Sequence, residues 1–87
     1  MAGYEILFKE SVYKDLKHIP KTDLKRILAR IEQLGLDPRQ PGSQKLTGAE
    51  LYRVRQGNYR IVYTIEDDKL IVCVVKVGHR KEVYRQE

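Results

Sequence analysis

The chain has 87 residues and a net charge of +5, and 41% of its residues are hydrophobic while 33% are charged. This length and composition predict one small globular domain over residues 1–87, and they exclude a disordered or multidomain chain. A pI near 9.4 on so small a body favours an anionic partner, which is nucleic acid, an acidic protein or an anionic membrane surface.

The single cysteine, Cys73, lies within the most apolar segment of the chain. A disulfide framework needs pairs of cysteines, so a reducing compartment is expected, and Cys73 is interpreted as an inert core residue. The sequence shows neither a signal peptide nor a run of ~20 apolar residues, so we expect a cytoplasmic protein without a membrane span. Two histidines and one cysteine offer no cluster of ligands, and no metal or cofactor is expected.

The first half of the chain predicts a strand followed by two helices. Residues 4–8 are predicted to form the strand. Apolar residues then recur at helical spacing until Pro20 ends the first helix, at Val12, Tyr13, Leu16 and Ile19. A second helix is predicted from the stripe Leu24, Ile27, Leu28, Ile31 and Leu34, with Gly35 as its natural end. His18 is expected to complement the C-terminus of the first helix.

The second half predicts a loop and three antiparallel strands. Residues 36–48 hold two prolines and two glycines and are predicted to be a loop. Strands are predicted near residues 50–55, 58–66 and 69–77, joined by short turns, and the chain closes in a short helix or tail. The near-continuous apolar run 70–77 favours a central strand that is buried on both faces.

The predicted fold class is α+β with the order β-α-α-β-β-β, in which a two-helix hairpin packs on one face of a small, mainly antiparallel twisted sheet. Alternation in the strands assigns Tyr52, Tyr59 and Tyr63 to the helix-covered core. The other face is then expected to carry Arg53, Arg55 and also Arg60, which is expected to lie at an exposed or strand-end position, so that its substitution hardly changes stability. Charged residues of the helices, Arg30 among them, are interpreted individually as solvated.

Several segments taken together resemble the RelE/ParE superfamily of bacterial and archaeal toxins, and the RelE branch in particular. The segments are Lys45-Leu46-Thr47-Gly48, Leu51-Tyr52-Arg53-Val54-Arg55, Gly57-Asn58-Tyr59-Arg60-Ile61-Val62-Tyr63 and Val77-Gly78-His79-Arg80-Lys81-Glu82-Val83-Tyr84. The likeness runs nearly from end to end and implies the RelE-like microbial RNase fold.

The resemblance implies a ribosome-dependent endonuclease that cleaves mRNA without a metal, by attack of a ribose 2′-OH on the adjacent phosphate. It also implies two kinds of partner, the ribosome with its mRNA and a cognate antitoxin in a hetero-oligomer, and no membrane. Carried over by position, the catalytic residues are Arg53, Arg55, Arg60, Arg80 and Tyr84, with His79 near the same point. Lys45, Lys76 and Lys81 are assigned to RNA binding.

The chain departs from the RelE pattern at residues 53 and 55, where that pattern has lysines. A lysine in a cationic cluster can lose a proton near neutral pH, whereas an arginine cannot. Arg53 and Arg55 are therefore assigned electrostatic roles, and His79 and Tyr84 are the expected proton carriers. Two alternatives stay open, which are a ParE-like toxin acting on DNA gyrase and a catalytically inactive basic module that binds RNA or protein.

Overall fold

A computed structural model describes residues 3–46, 48 and 50–79, and shows two helices on one face of a five-stranded sheet. In chain order the elements are β1 (Glu5–Phe8), α1 (Glu10–Lys17), α2 (Lys21–Leu36), β2 (Gln44–Lys45), β3 (Tyr52–Gln56), β4 (Tyr59–Glu66) and β5 (Ile71–His79). The strands are ordered β1-β5-β4-β3-β2, and only the β1–β5 pair is parallel. The predicted α+β class and the single helix-covered face are confirmed.

The core lies between the helices and the near face of the sheet. It is built from alternate strand residues and from the apolar stripes of the helices, which are Val12, Ile19, Ile27, Ile31, Leu34, Val54, Ile61, Tyr63, Val72, Val74 and Val77. Tyr52 and Tyr59 pack against this core, as the alternation predicts. Leu28 belongs to the predicted stripe of α2, yet it is 40% exposed, because the buried face of that helix centres on Ile27, Ile31 and Leu34.

Strand β5 lies inside the sheet between β1 and β4, which confirms its predicted central position. The prediction that this strand is buried on both faces is wrong. Val72, Val74 and Val77 are fully buried towards the helices, whereas the intervening Cys73 is only half-buried. Both helices lie on the face shared by Val72, Val74 and Val77, and neither of them covers Cys73 on the other face.

Two further predictions about the loop region need correction. The segment predicted as a loop contains the two-residue strand β2, whose Gln44 and Lys45 pair with Arg53 and Tyr52. Gly35 does not end α2 but lies within its last turn, where its carbonyl accepts a 2.7 Å hydrogen bond from the backbone N–H of Tyr4. A Cβ on Gly35 would lie 3.1 Å from the carbonyl oxygen of Tyr4, so this glycine permits a close approach of two backbones.

The loop after α2 is held against the sheet by two polar contacts. The buried hydroxyl of Tyr63 donates a 2.7 Å hydrogen bond to the carbonyl of Pro38. The guanidinium of Arg39 donates to both carboxylate oxygens of Asp67, at 3.0 and 2.9 Å, and the hydroxyl of Tyr4 donates to the same carboxylate at 2.7 Å. Arg39 and then Tyr4 thereby hold the pKa of Asp67 at about 2, below its usual 3.8. These contacts fix the path of residues 37–43 along the edge of the sheet.

Candidate functional site

Three arginines lie on the sheet face that points away from the helices. Because Tyr52 and Val54 pack towards the helices, the alternating Arg53 and Arg55 of β3 point to the opposite face. Arg60 of β4 lies directly opposite Arg55 across the strand pair, and on its other side it lies opposite Gly78 of β5. Residues 55, 60 and 78 therefore form a row that crosses three strands.

Arg60 is 3% exposed, and among the described residues it is the only charged one that is buried. The expectation that Arg60 is exposed is wrong. It lies on the inner strand β4, between β3 and β5, and Val62, two residues away on the same face, is also buried. A buried guanidinium keeps its orientation, which is the property required of a preorganised site for charge.

A cleft of about 350 Å³ opens beside this row at the edge of β3. It is lined by Arg30, Gly42, Gln44, Arg53 and Arg55. The side chain of Arg53 donates a hydrogen bond to the side-chain carbonyl of Gln44, which orients one wall of the cleft. The cleft thus brings together two predicted site residues and one arginine from α2.

Sequence reasoning missed Arg30, which was interpreted as part of a solvated helix face. In the structure its side chain is half-buried, and its Nη2 lies 3.4 Å from the carbonyl oxygen of Pro41. The helical spacing carries a signal for this placement, because residue 30 follows the buried Ile27 by three positions and precedes the buried Leu34 by four. Because Arg30 lies at the border of the buried stripe of α2, the packing of that stripe against the core fixes the position of its side chain.

Two of the three lysines assigned to RNA binding, Lys45 and Lys76, have carboxylate partners. The ammonium of Lys76 forms a part-buried ion pair of 3.2 Å with Asp15 of α1, which ties β5 to that helix. Lys45 forms an exposed ion pair of 3.1 Å with Glu50, and the hydrogen bond that its ammonium donates to Glu50 raises the pKa of this lysine. Their roles in RNA binding stay predictions, and the geometry gives Lys76 a structural role.

His79 lies apart from the arginine row. It is opposite Tyr59, a core-facing residue, and the centroids of the two rings are 5.8 Å apart in an edge-on arrangement. Together with His18 and Asp15 it lines a second cavity of about 310 Å³ at the end of α1. The single residue Gly78 separates His79 from the row along the chain. His79 thus lies on the helix-covered side of the sheet and not among the arginines of the opposite face.

The remaining predicted residues, Arg80, Lys81 and Tyr84, lie outside the residues that the structure describes. Within residues 3–46, 48 and 50–79, no three His, Cys, Asp or Glu side chains come together in a group that could hold a metal ion. No helix in that part of the chain is long and apolar enough to cross a membrane.

Residues 6–84 match the sequence profile of the family described as ParE toxin of type II toxin-antitoxin system, parDE. Toxin RelE3 of Methanocaldococcus jannaschii is 36% identical over 85 residues, which cover 92% of this chain and 94% of that protein. The mRNA interferase toxin RelE of Escherichia coli K12 is 26% identical, and the match covers 97% of this chain and 93% of that protein.

The fold comparison agrees with the sequence comparison. The crystal structure of the toxin–antitoxin complex RelBE2 from Mycobacterium tuberculosis contains a chain that superposes with a TM-score of 0.82 at 26% identity. The match covers 90% of this chain and 99% of that one. The profile match, the relatives and the shared fold together show that this chain belongs to the RelE/ParE superfamily of type II toxin–antitoxin toxins.

Proposed function

We propose that this toxin is an endoribonuclease that cleaves mRNA on the ribosome and so inhibits translation. The observation that carries the proposal is the row of arginines on the sheet face away from the helices, in which the exposed Arg55 lies opposite the buried Arg60. The name mRNA interferase of the Escherichia coli relative supports the same activity. A row of guanidinium groups fits a chain of phosphates better than it fits a small neutral substrate.

The proposed chemistry is an internal transfer of the phosphoryl group. The ribose 2′-oxygen forms a bond to the adjacent phosphorus while the bond from phosphorus to the 5′-oxygen breaks, which leaves a 2′,3′-cyclic phosphate and a 5′-hydroxyl. Negative charge develops on the nonbridging oxygens, and the guanidinium groups of Arg55 and Arg60 stabilise it with paired N–H donors. Arg53, oriented by Gln44, supplies further positive charge at the same edge.

One proton must leave the 2′-hydroxyl and one must reach the departing 5′-oxygen. Arginine stays protonated in proteins and does not accept the first of these protons. His79 and Tyr84 are the proposed carriers. His79 directly follows Gly78, the residue opposite Arg60, but as the next residue along the strand it lies on the side of the core-facing Tyr59. This assignment divides the site into arginines that stabilise charge and two residues that move protons.

The proposed protein partner is a cognate antitoxin that silences the toxin in a hetero-oligomer. The similar structure from Mycobacterium tuberculosis is a toxin–antitoxin complex. The net charge of +5 favours an antitoxin with an acidic segment that neutralises the arginine row. Raising the salt concentration is then expected to slow the encounter of the two proteins, since charge steers the association rate.

Cleavage of mRNA on programmed ribosomes, followed by primer extension, tests the activity. Arg55→Ala is expected to lower the single-turnover rate by about 10²–10³, the usual effect of losing one preorganised donor. Arg26→Ala is the control, because Arg26 is an exposed arginine on α2 and does not line the cleft. Equal rates for the parent and for folded Arg55→Ala would contradict the site.

A second candidate function is inhibition of DNA gyrase, which the ParE description of the matching family favours. Plasmid supercoiling by gyrase in the presence of the purified chain is the cross-check. Inhibited supercoiling without any cleavage of ribosome-bound mRNA would replace the proposed endonuclease by the gyrase inhibitor. If the chain neither cleaves mRNA nor inhibits supercoiling, it would be identified as an inactive binding module.

A further inference from the structure

The cleft at the edge of β3 exists because β2 is too short to cover that edge. β2 pairs only with Tyr52 and Arg53, and the same register continued by two residues would place Gly42 opposite Arg55. Gly42 has a φ of +95°, and a Cβ at this position would lie 3.2 Å from Nη2 of Arg30. A residue without a side chain therefore leaves room for the guanidinium of Arg30 beside Arg55.

Two arginines of the cleft, Arg30 and Arg55, form no ion pair with a carboxylate of the described residues. Among the described residues the ion pairs join Arg39 to Asp67, Lys45 to Glu50 and Lys76 to Asp15. Arg30 and Arg55 take part in none of these pairs. The buried Nε of Arg30 has no hydrogen-bond acceptor within the described residues, and its Nη2 makes only a long 3.4 Å contact. A concave site with two such guanidinium groups attracts an anion.

The direction of the cleft connects it to the proposed reaction site. Arg60 and Arg55 are directly opposite each other on neighbouring strands, which lie about 4.8 Å apart in a sheet. Arg55 also lines the cleft, together with Arg30. Positive charge thus continues from Arg60 across Arg55 to Arg30, perpendicular to the strands and around the open edge of the sheet.

We propose that this cleft is a second phosphate subsite, in which Arg30 binds a backbone phosphate of the RNA strand next to the phosphate that reacts, while Arg55, which lies between Arg30 and Arg60, contacts both phosphates. The inference rests on the proposed function, because the continuity with Arg60 is what favours RNA over the carboxylates of an acidic peptide. Arg30 is a positioning residue that holds the strand, whereas the transfer takes place at Arg60. No earlier step of the proposed chemistry requires Arg30.

The first test measures binding without cleavage. The probe is a labelled heptaribonucleotide with 2′-O-methyl groups, which lacks the nucleophile, and its affinity is followed by fluorescence anisotropy over a range of salt concentrations. Arg30→Gln keeps the half-buried aliphatic stem and removes the charge. We expect its affinity to fall about tenfold and its salt slope to shrink by about 0.7, the value for one phosphate contact on a single strand.

Matched variants separate this contact from general electrostatics and from folding. Arg26→Gln removes an equal charge from the exposed face of the same helix, four residues earlier, and is expected to bind like the parent. Arg30→Lys restores the charge and is expected to regain part of the affinity but not the paired geometry. Equal affinities and salt slopes for Arg30→Gln and Arg26→Gln would overturn the proposal.

A neutral methylphosphonate placed at each phosphate of the probe in turn identifies the bound position. We expect one position at which the replacement weakens binding to the parent but has no further effect on Arg30→Gln, because the two changes remove the same contact. Independent losses at every position would overturn the subsite. Binding of hexaglutamate that depends on Arg30, together with RNA binding that does not, would assign the cleft to an acidic peptide and also overturn it.

Cleavage on programmed ribosomes then separates this inference from the proposed function. Arg30→Gln is expected to raise the toxin concentration needed for half-maximal rate about tenfold while leaving the rate at saturation unchanged. Suppose that the parent cleaves and that Arg30→Gln and Arg26→Gln have the same half-maximal toxin concentration and the same rate at saturation. This result would refute the subsite but not the endonuclease. Suppose instead that the parent does not cleave, but that one methylphosphonate position still shows no further effect on Arg30→Gln. This result would refute the endonuclease but not the subsite.

Discussion

Replacing Arg60 separates the two roles that its position gives it, because its guanidinium belongs to the proposed site while its stem is buried. Arg60→Ala removes two buried methylene groups and the charge. At about 0.8 kcal/mol for each buried methylene, the lost burial is worth about 2 kcal/mol. For a domain of this size that corresponds to a decrease in Tm of about 10 °C. The rate of cleavage is expected to fall by about 10²–10³ as well.

Arg60→Met retains an apolar stem and removes the guanidinium group, with its charge and its N–H donors. We expect this variant to melt at a higher temperature than Arg60→Ala, because it retains the buried apolar stem. Its cleavage rate is expected to fall as far as that of Arg60→Ala. Arg55→Met is the control for an exposed arginine of the same row, with a loss of rate and an unchanged Tm.

The assays are single-turnover cleavage on programmed ribosomes and thermal unfolding followed by circular dichroism. Arg60→Met cleaving at the rate of the parent would show that the charge of Arg60 is not used in the reaction. Arg60→Ala melting at the temperature of the parent would show that the buried stem does not stabilise the fold. Either result would refute the reasoning that joins burial to preorganisation at this position.

Three further predictions follow from particular contacts. Tyr63→Phe leaves a buried loop carbonyl without its donor, so urea unfolding is expected to show a loss of about 1–3 kcal/mol. The low folded-state pKa of Asp67 stabilises the protein above about pH 4, and this contribution is lost as the pH falls towards 2. The Tm of Asp67→Asn is therefore expected to fall less than that of the parent over this range. Tyr84→Phe and His79→Ala together are expected to slow cleavage by about 10²–10⁴.

Each of these predictions has an outcome that contradicts it. Unchanged unfolding of Tyr63→Phe would show that water or another donor satisfies the carbonyl. Parallel losses of Tm for the parent and Asp67→Asn between pH 4 and 2 would remove this carboxylate as a cause of acid sensitivity. A double variant of His79 and Tyr84 that cleaves at the parental rate would mean that the ribosome or the substrate moves the protons.

The local elements and the inward face of each strand are determined by the sequence alone. The spacing of Ile27, Ile31 and Leu34 defines the buried face of α2, and the alternation around Arg53 and Arg55 defines the outward face of β3. Both patterns follow from the period of a helix or a strand, which depends only on the backbone. The motifs of the last third of the chain also identify the superfamily, which the comparisons confirm.

Only the tertiary structure decides which residues of the outward face are buried and which distant residues meet them. Alternation places Arg60 on the same face as Arg55, but its burial depends on an inner position in the sheet. Arg30 reaches the cleft because α2, the loop at Gly42 and the open edge of β3 come together in space. Periodicity describes one element at a time, whereas burial and the sum of charges in a cleft depend on contacts between elements far apart in the chain.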